Sequence, residues 1–215
     1  MFSQLTSSPL LFVIGLIAFL ASLSFHEFAH ALAGTLQGDD TAKRMGRLTL
    51  NPIAHVDPIG LLALIAVGFG WGKPVPFNPY NLRNQKWGPS IVAGAGPLAN
   101  VVLMLISGLL LRLLAGRLPA DNALGYFLMA LVFINAILFL FNLIPIPPLD
   151  GSKFLLAALD KPQHARARFL LETRGPLILL FLILIDSLLF TGLIFGGLFS
   201  LAAALVGLIV GPGVL

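Results

Sequence analysis

The chain has 215 residues, of which 58% are hydrophobic and 10% are charged, and its formal net charge is +4. A soluble globular domain carries about 25% charged residues, so this composition predicts an integral protein of the lipid bilayer. The sequence contains no cysteine, which excludes disulfides and thiolate metal sites. Its basic residues lie between apolar stretches and form no single patch, which argues against a nucleic acid partner.

The apolar stretches predict an all-α bundle of about five membrane spans. A spanning helix needs about 20 apolar residues. The stretch from Gly175 to about Val210 is too long for one span, and it predicts a hairpin of two helices that breaks near Thr191 and Gly192. The three remaining predicted spans are Pro9 to Leu36, Ser90 to Leu114 and Ala123 to Leu143.

A shorter apolar patch, residues 59–69, decides the orientation. As a helix it would reach only about 17 Å, well short of a hydrocarbon core of about 30 Å, so we predict that it is re-entrant. Nearly all Lys and Arg residues then fall in 38–89 and 151–174, with only Arg112 and Arg117 elsewhere. The positive-inside rule therefore predicts a multi-pass protein with its N-terminus outside and its C-terminus in the cytoplasm.

The segment between the first two spans reads RLTLNPIAHVDPIG and combines alternating apolar residues with proline and glycine. This pattern predicts a small β-strand or hairpin element at the cytoplasmic side, over about residues 44–57. Non-helical backbone at membrane depth is tolerated only inside protein or beside a wet cavity. The segment therefore also predicts an internal cavity.

The first predicted helix carries the sequence SFHEFAHAL near its end. His26 and His30 are four residues apart, so they share one helix face and can bind one Zn²⁺. Glu27 lies beside the metal, where it can take a proton from metal-bound water, as in HExxH zinc proteases. The alternative is a chance polar patch along a helix seam, but buried ionisable groups are costly without a partner.

A catalytic zinc site usually has a third protein ligand and an open fourth position. The predicted topology favours Asp150, because the helix before it runs parallel to the first helix and ends on the same membrane side. Gly151 lets the backbone turn beside this carboxylate. The alternative is that Asp150 caps a helix over 151–159. The other candidate ligands are Asp57, His55 and Asp186.

These motifs, HEFAH and NLIPIPPLDG together with GRLTLNPIAHVDPIG and GAGPLAN, resemble the site-2 protease family of intramembrane zinc metalloproteases. The likeness covers about residues 20–160 and is greatest to short bacterial and archaeal members without a PDZ domain. It implies one Zn²⁺ per chain, held by His26, His30 and Asp150, with Glu27 as the general base. It also implies a prokaryotic inner membrane and transmembrane protein substrates.

Asn142 lies two turns before the predicted ligand Asp150. The resemblance implies that it faces the active site, where its amide could stabilise the oxyanion of the tetrahedral intermediate. The alternative is that the amide satisfies backbone carbonyls freed by Pro145 and Pro147.

Five further polar residues receive structural predictions. Asn100 and Asn135 are expected to form hydrogen bonds between helices. His55 and Asp57 are expected to be turn residues, with orientation of a metal ligand as the alternative. Asp186 is expected at the tip of the C-terminal hairpin.

The sequence thus predicts a single metalloprotease domain over 1–215, with the hairpin 175–210 at its end, that hydrolyses peptide bonds within or next to transmembrane segments. The alternative is a metal transporter or a catalytically inactive zinc-binding scaffold. Glu27 favours the protease, because a transport site does not need a carboxylate that activates water. The oligomeric state stays open.

Overall fold

A computed structural model describes residues 8–68, 70–119, 121–188 and 195–211. The fold is helical, as predicted, and three short 3₁₀ turns join its helices: Pro52–Ala54, Pro79–Asn81 and Pro162–His164. The helices are α1 (Pro9–Leu36), α2 (Thr41–Arg44), α3 (Pro58–Val67), α4 (Gly88–Leu114), α5 (Ala123–Asn142), α6 (Gly151–Ala158), α7 (Ala165–Leu188) and α8 (Phe195–Val210).

Helices α1, α4 and α5 are long and apolar enough to cross a membrane. They pack against one another, and α8 packs against α4 and α5. The core where α4, α5 and α8 meet consists of buried apolar side chains: Met104, Leu111, Leu128, Val132, Ala136, Ala202, Val206 and Val210. The chain is therefore a membrane protein whose helical bundle encloses its own core.

The predicted count of five spans is not confirmed, because only these three helices of the described residues qualify by length and composition. Helix α7 begins at Ala165, earlier than the predicted hairpin, and its first turns carry Arg166, Arg168 and Arg174. Helix α8 has 16 residues, fewer than a full span requires. The predicted break near Thr191 and Gly192 lies outside the described residues.

The β element predicted over residues 44–57 is not confirmed: no strand forms in this range, all of which the structure describes. An isolated antiparallel bridge pairs Val56 with Gly72. The reason is local, because Asn51 and Asp57 each precede a proline and accept hydrogen bonds from backbone N–H groups that follow. Such Asx contacts start helical turns, and proline removes the N–H that a strand ladder needs.

Two buried charged residues hold this connecting segment in shape. The Asp39 carboxylate accepts hydrogen bonds from the backbone N–H groups of Thr41 and Asn78 and from the Asn81 side chain, at 2.6–3.2 Å. Arg47 donates to the carbonyls of Lys73 and Pro74. The segment between α1 and α4 is therefore fixed by side chains that bind backbone groups.

Candidate metal centre

Helix α1 and the turn before α6 bring His26, His30 and Asp150 together. The two Nε2 atoms are 2.9 Å apart, and Asp150 Oδ2 lies 3.2 Å from the first and 3.4 Å from the second. Both imidazoles are buried, and the Asp150 side chain is 19% exposed. This is the arrangement that the HExxH spacing and the parallel-helix argument predicted, and it is a group able to hold a metal ion.

Hydrogen bonds at the opposite nitrogens orient both rings. His30 Nδ1 lies 2.7 Å from the backbone carbonyl of Val92, and His26 Nδ1 lies 2.6 Å from Asn100 Oδ1. A carbonyl oxygen only accepts, so the proton of each neutral ring belongs on Nδ1. The Nε2 lone pairs of both rings then point at each other and at the Asp150 carboxylate.

Three converging lone pairs repel one another unless a cation lies between them. Zinc bonds to nitrogen and oxygen of about 2.0–2.2 Å place tetrahedral ligands about 3.3–3.5 Å apart, close to the two separations measured from Asp150. The two Nε2 atoms, 2.9 Å apart, would move apart by about 0.4 Å to take the same geometry. Two imidazoles and one carboxylate are also a donor set that catalytic zinc sites use. The residues therefore fit Zn²⁺.

Two glycines give this site its space. A Cβ atom at Gly96 on α4 would overlap the rings of both His26 and His30. A Cβ atom at Gly151 would overlap the backbone of Leu143 and Ile144, so the turn after Asp150 can form only with glycine. The role of Gly96 was missed from the sequence, although small residues in a membrane helix commonly mark a close helix contact.

The Glu27 carboxylate is buried, and within the described residues its Oε2 atom has no hydrogen-bond partner. Arg47 supplies the electrostatic counterpart: burial lowers the pKa of its guanidinium, and the Glu27 carboxylate opposes that shift. An unpaired buried carboxylate oxygen costs free energy unless something binds it. Glu27 is thus available to a water molecule or a reactant beside the histidines.

Asp150 occupies the N-cap position of α6 but makes no capping hydrogen bond, so the alternative of a simple helix cap is not supported. The Asn142 amide donates to the carbonyl of Leu138, 3.0 Å away, within its own helix. This contact matches neither predicted role, because Leu138 is not a carbonyl that Pro145 or Pro147 frees. The structure therefore leaves a catalytic role for Asn142 as a prediction.

The other candidate ligands lie elsewhere. His55 Nε2 is 2.7 Å from the carbonyl of Thr49, and Asp57 caps α3 through the N–H groups of Ile59 and Gly60. Asp186 accepts from the backbone N–H of Phe195 at the start of α8. The metal-binding group found among the described residues contains none of the three.

Comparison with known proteins supports a protease that uses zinc. Residues 115–183 match Peptidase family M50, a range that includes Asp150. "Putative zinc metalloprotease YwhC" of Bacillus subtilis is 41% identical over 144 residues, 65% of this chain and 66% of that protein. "Putative zinc metalloprotease Rip2" of Mycolicibacterium smegmatis is 34% identical over 184 residues, 82% of this chain and 69% of that protein.

The chain is therefore built as a membrane metallopeptidase of the site-2 protease type. It belongs to Peptidase family M50. It spans about two thirds of the length of the curated relatives that it matches, 66% and 69% for the two above. No solved structure matches it significantly. The family confirms the resemblance read from the motifs and supports a protease that uses zinc.

Proposed function

We propose that this protein is an intramembrane zinc metalloprotease that hydrolyses peptide bonds within or next to transmembrane segments of other membrane proteins. His26, His30 and Asp150 hold one Zn²⁺, and Glu27 is the general base. The observation that carries the proposal is the buried carboxylate of Glu27, one oxygen of which has no partner in the described part of the chain. It is next in sequence to one of three converging candidate ligands. A site built only to hold zinc has no use for it.

Bound zinc would lower the pKa of water and polarise the scissile carbonyl. The chain's own groups supply the rest. The hydrogen bonds at both Nδ1 atoms hold the imidazoles with Nε2 toward the reaction centre. Glu27 accepts the proton of the attacking water and passes it to the leaving amine. Burial of the site between α1 and α4 limits the water that reaches these groups.

We further propose that Asn142 stabilises the oxyanion, for which its amide must leave the carbonyl of Leu138. Removing one such donor costs about 10²–10³ in kcat. We also retain the predicted orientation, with the N-terminus outside a prokaryotic inner membrane and the C-terminus in the cytoplasm, and a single domain over residues 1–215.

Replacing Glu27 by Gln tests the function. Gln keeps the size of the side chain but cannot accept the proton, so cleavage of a transmembrane substrate in detergent should fall by about 10²–10⁴ while zinc stays bound. The matched control is Glu172→Gln, since Glu172 is exposed and pairs with Arg168. Equal cleavage by Glu27→Gln and wild type would contradict the mechanism. Zinc binding without cleavage of any substrate by the wild type would favour a transporter or an inactive scaffold.

A further inference from the structure

A chain of buried hydrogen bonds leads away from the metal centre through all three candidate spans. Asn100 on α4 contacts His26 on α1, and its Nδ2 donates to Asn135 Oδ1 on α5 at 2.7 Å. Asn135 Nδ2 donates in turn to Ser22 Oγ on α1 at 2.8 Å. Both asparagines and Ser22 have 0% of their surface exposed. We call Ser22, Asn135 and Asn100 the polar relay.

The direction of every bond in the polar relay follows from backbone carbonyls at its far end. Ser22 Oγ donates to the carbonyl of Ala18 at 2.7 Å, so toward Asn135 it offers a lone pair. Asn135 Nδ2 also donates to the carbonyl of Leu131 at 2.8 Å. Carbonyls only accept, so these contacts fix which atom of the Asn135 amide is nitrogen.

The remaining assignments follow in sequence. Asn135 must present Oδ1 to Asn100, so Asn100 must donate with Nδ2 and present its own Oδ1 to His26. That oxygen accepts the proton of His26 Nδ1, which leaves the Nε2 lone pair free. Nothing in this argument depends on how the imidazole itself is assigned.

We propose that the polar relay sets the tautomer and ring orientation of His26 and so positions it for zinc, with Asn100 as the residue that acts on it directly. This inference rests on the metal role proposed for His26. His30 obtains the same result from a single backbone carbonyl, that of Val92. Through the polar relay, the zinc affinity of the site therefore depends on side chains of α4 and α5. A contact to a backbone carbonyl, like that of His30, would not create this dependence.

Zinc affinity, measured by competition with a chelator, tests the proposal without any cleavage assay. Asn100→Leu keeps a similar side-chain volume but removes the oxygen that accepts from His26. Zinc binding should therefore weaken about 10–100-fold, as it does when a group that orients a metal ligand is lost. Asn100→Asp keeps an oxygen that can accept from His26, so it should retain more zinc affinity than Asn100→Leu. Ser22→Ala, which removes only the distal anchor, should show a smaller loss.

The matched control is Ser107→Ala, a buried polar position on α4 outside the relay, which should leave zinc affinity unchanged. In metal-stripped protein labelled with ¹⁵N-histidine, His26 should carry its proton on Nδ1 in the wild type and lose that preference in Asn100→Leu. Helicity of each stripped variant shows whether it has folded.

Unchanged zinc affinity in Asn100→Leu, or a stripped wild type in which His26 Nδ1 carries no proton, would overturn the proposal and leave the protease assignment intact. Equal losses in Asn100→Leu, Asn100→Asp and Ser107→Ala would also overturn it, since they would report general destabilisation of α4. A wild type that binds no zinc would instead refute the proposed function.

Discussion

Asp150 and Asp57 are chemically identical residues that the structure uses in different ways. Asp150 stands at a helix N-cap position, yet its carboxylate faces two imidazoles, while the Asp57 carboxylate caps α3. Asp150→Ala should therefore lower the zinc content of the purified protein well below one per chain, because two histidines alone bind zinc weakly. Asp57→Ala is the control and should keep its zinc. Full zinc content in Asp150→Ala would remove Asp150 from the ligand set.

Gly96 allows a prediction in which two effects oppose each other. In a helix, Gly→Ala gains up to about 1 kcal/mol of helix propensity. At Gly96 the new methyl group would overlap both imidazole rings, so Gly96→Ala should lose zinc. At Gly125 on α5 a Cβ meets nothing within 4 Å, and Gly125→Ala should keep zinc. The test is the zinc content of the two purified variants. Equal zinc content in both would contradict the prediction and show that α4 can shift to admit the methyl group.

That His26 and His30 lie together could be predicted from sequence because their geometry is local. The spacing of His26 and His30 places both on one helix face wherever that helix lies. The contact between His26 and Asn100 joins residues 74 positions apart, and it depends on how two helices are rotated toward each other. The sequence indicated that Asn100 and Asn135 bond between helices, which the structure confirms, but it could not say that one of them reaches His26.

Among the secondary-structure elements, helices α1, α4 and α5 were predicted close to their bounds, whereas the start of α7 and the connecting segment were not. Helix α1 has the predicted bounds, because its predominantly apolar sequence begins with a proline and contains no proline further along that would break the helix. Over residues 44–57 the alternation of apolar residues favoured strands, but Asn51 and Asp57 bind the backbone N–H groups that follow and start helical turns. Local side-chain contacts with the backbone outweighed the periodicity there.

Asp39 should control the order of the connecting segment. It is 1% exposed and accepts from four groups, and these hydrogen bonds lower the pKa of its carboxyl despite burial, which acts to raise it. Asp39→Ala leaves those donors unpaired, which should cost about 1–3 kcal/mol and increase hydrogen exchange at the N–H of Asn78. The control is Asp40→Ala, since within the described residues the Asp40 side chain makes only a long surface ion pair, with Lys43 at 4.0 Å.

The same carboxylate makes a pH prediction with a definite sign. A depressed folded-state pKa means that the stabilisation is complete above the unfolded value of about 3.9 and is lost as the pH falls through the lower folded value. Protection of the Asn78 N–H should therefore be constant from neutral pH down to about 4 and fall only below it. A loss of protection near pH 6 would show that another group governs this segment.

For the whole molecule, the structure constrains how the chain passes the membrane around α3. The bridge between Val56 and Gly72 joins the two ends of this segment, and Lys73 N donates to the carbonyl of His55 at 2.8 Å. The ten residues of α3 rise about 15 Å, and the four residues from Gly68 to Trp71 reach at most about 14 Å. We therefore keep the prediction that this segment does not cross the bilayer.

The return is held closely against the helix. The backbone of Trp71 packs against Gly60 so tightly that a Cβ at Gly60 would overlap it, and Gly70 lies against Gly60 and Leu64. If α3 and the returning segment separated to form a single span, the bridge between Val56 and Gly72 would break. Backbone N–H and C=O groups would then be exposed, and each costs several kcal/mol in hydrocarbon. The close contact between Gly60 and Gly70 therefore favours the re-entrant arrangement that the length of the apolar patch, residues 59–69, predicts.

Cysteine labelling tests this topology, and the cysteine-free chain makes each introduced thiol the sole target. Lys43→Cys and Lys73→Cys stand on the two sides of α3 in sequence, and we expect a membrane-impermeant maleimide to label both from the cytoplasmic side. Arg117→Cys lies beyond α4 and should be labelled only from outside, which controls for membrane integrity. Labelling of positions 43 and 73 from opposite sides would mean that α3 crosses. Helices α1 and α5 would then run antiparallel, and Asp150 would lie across the membrane from His26.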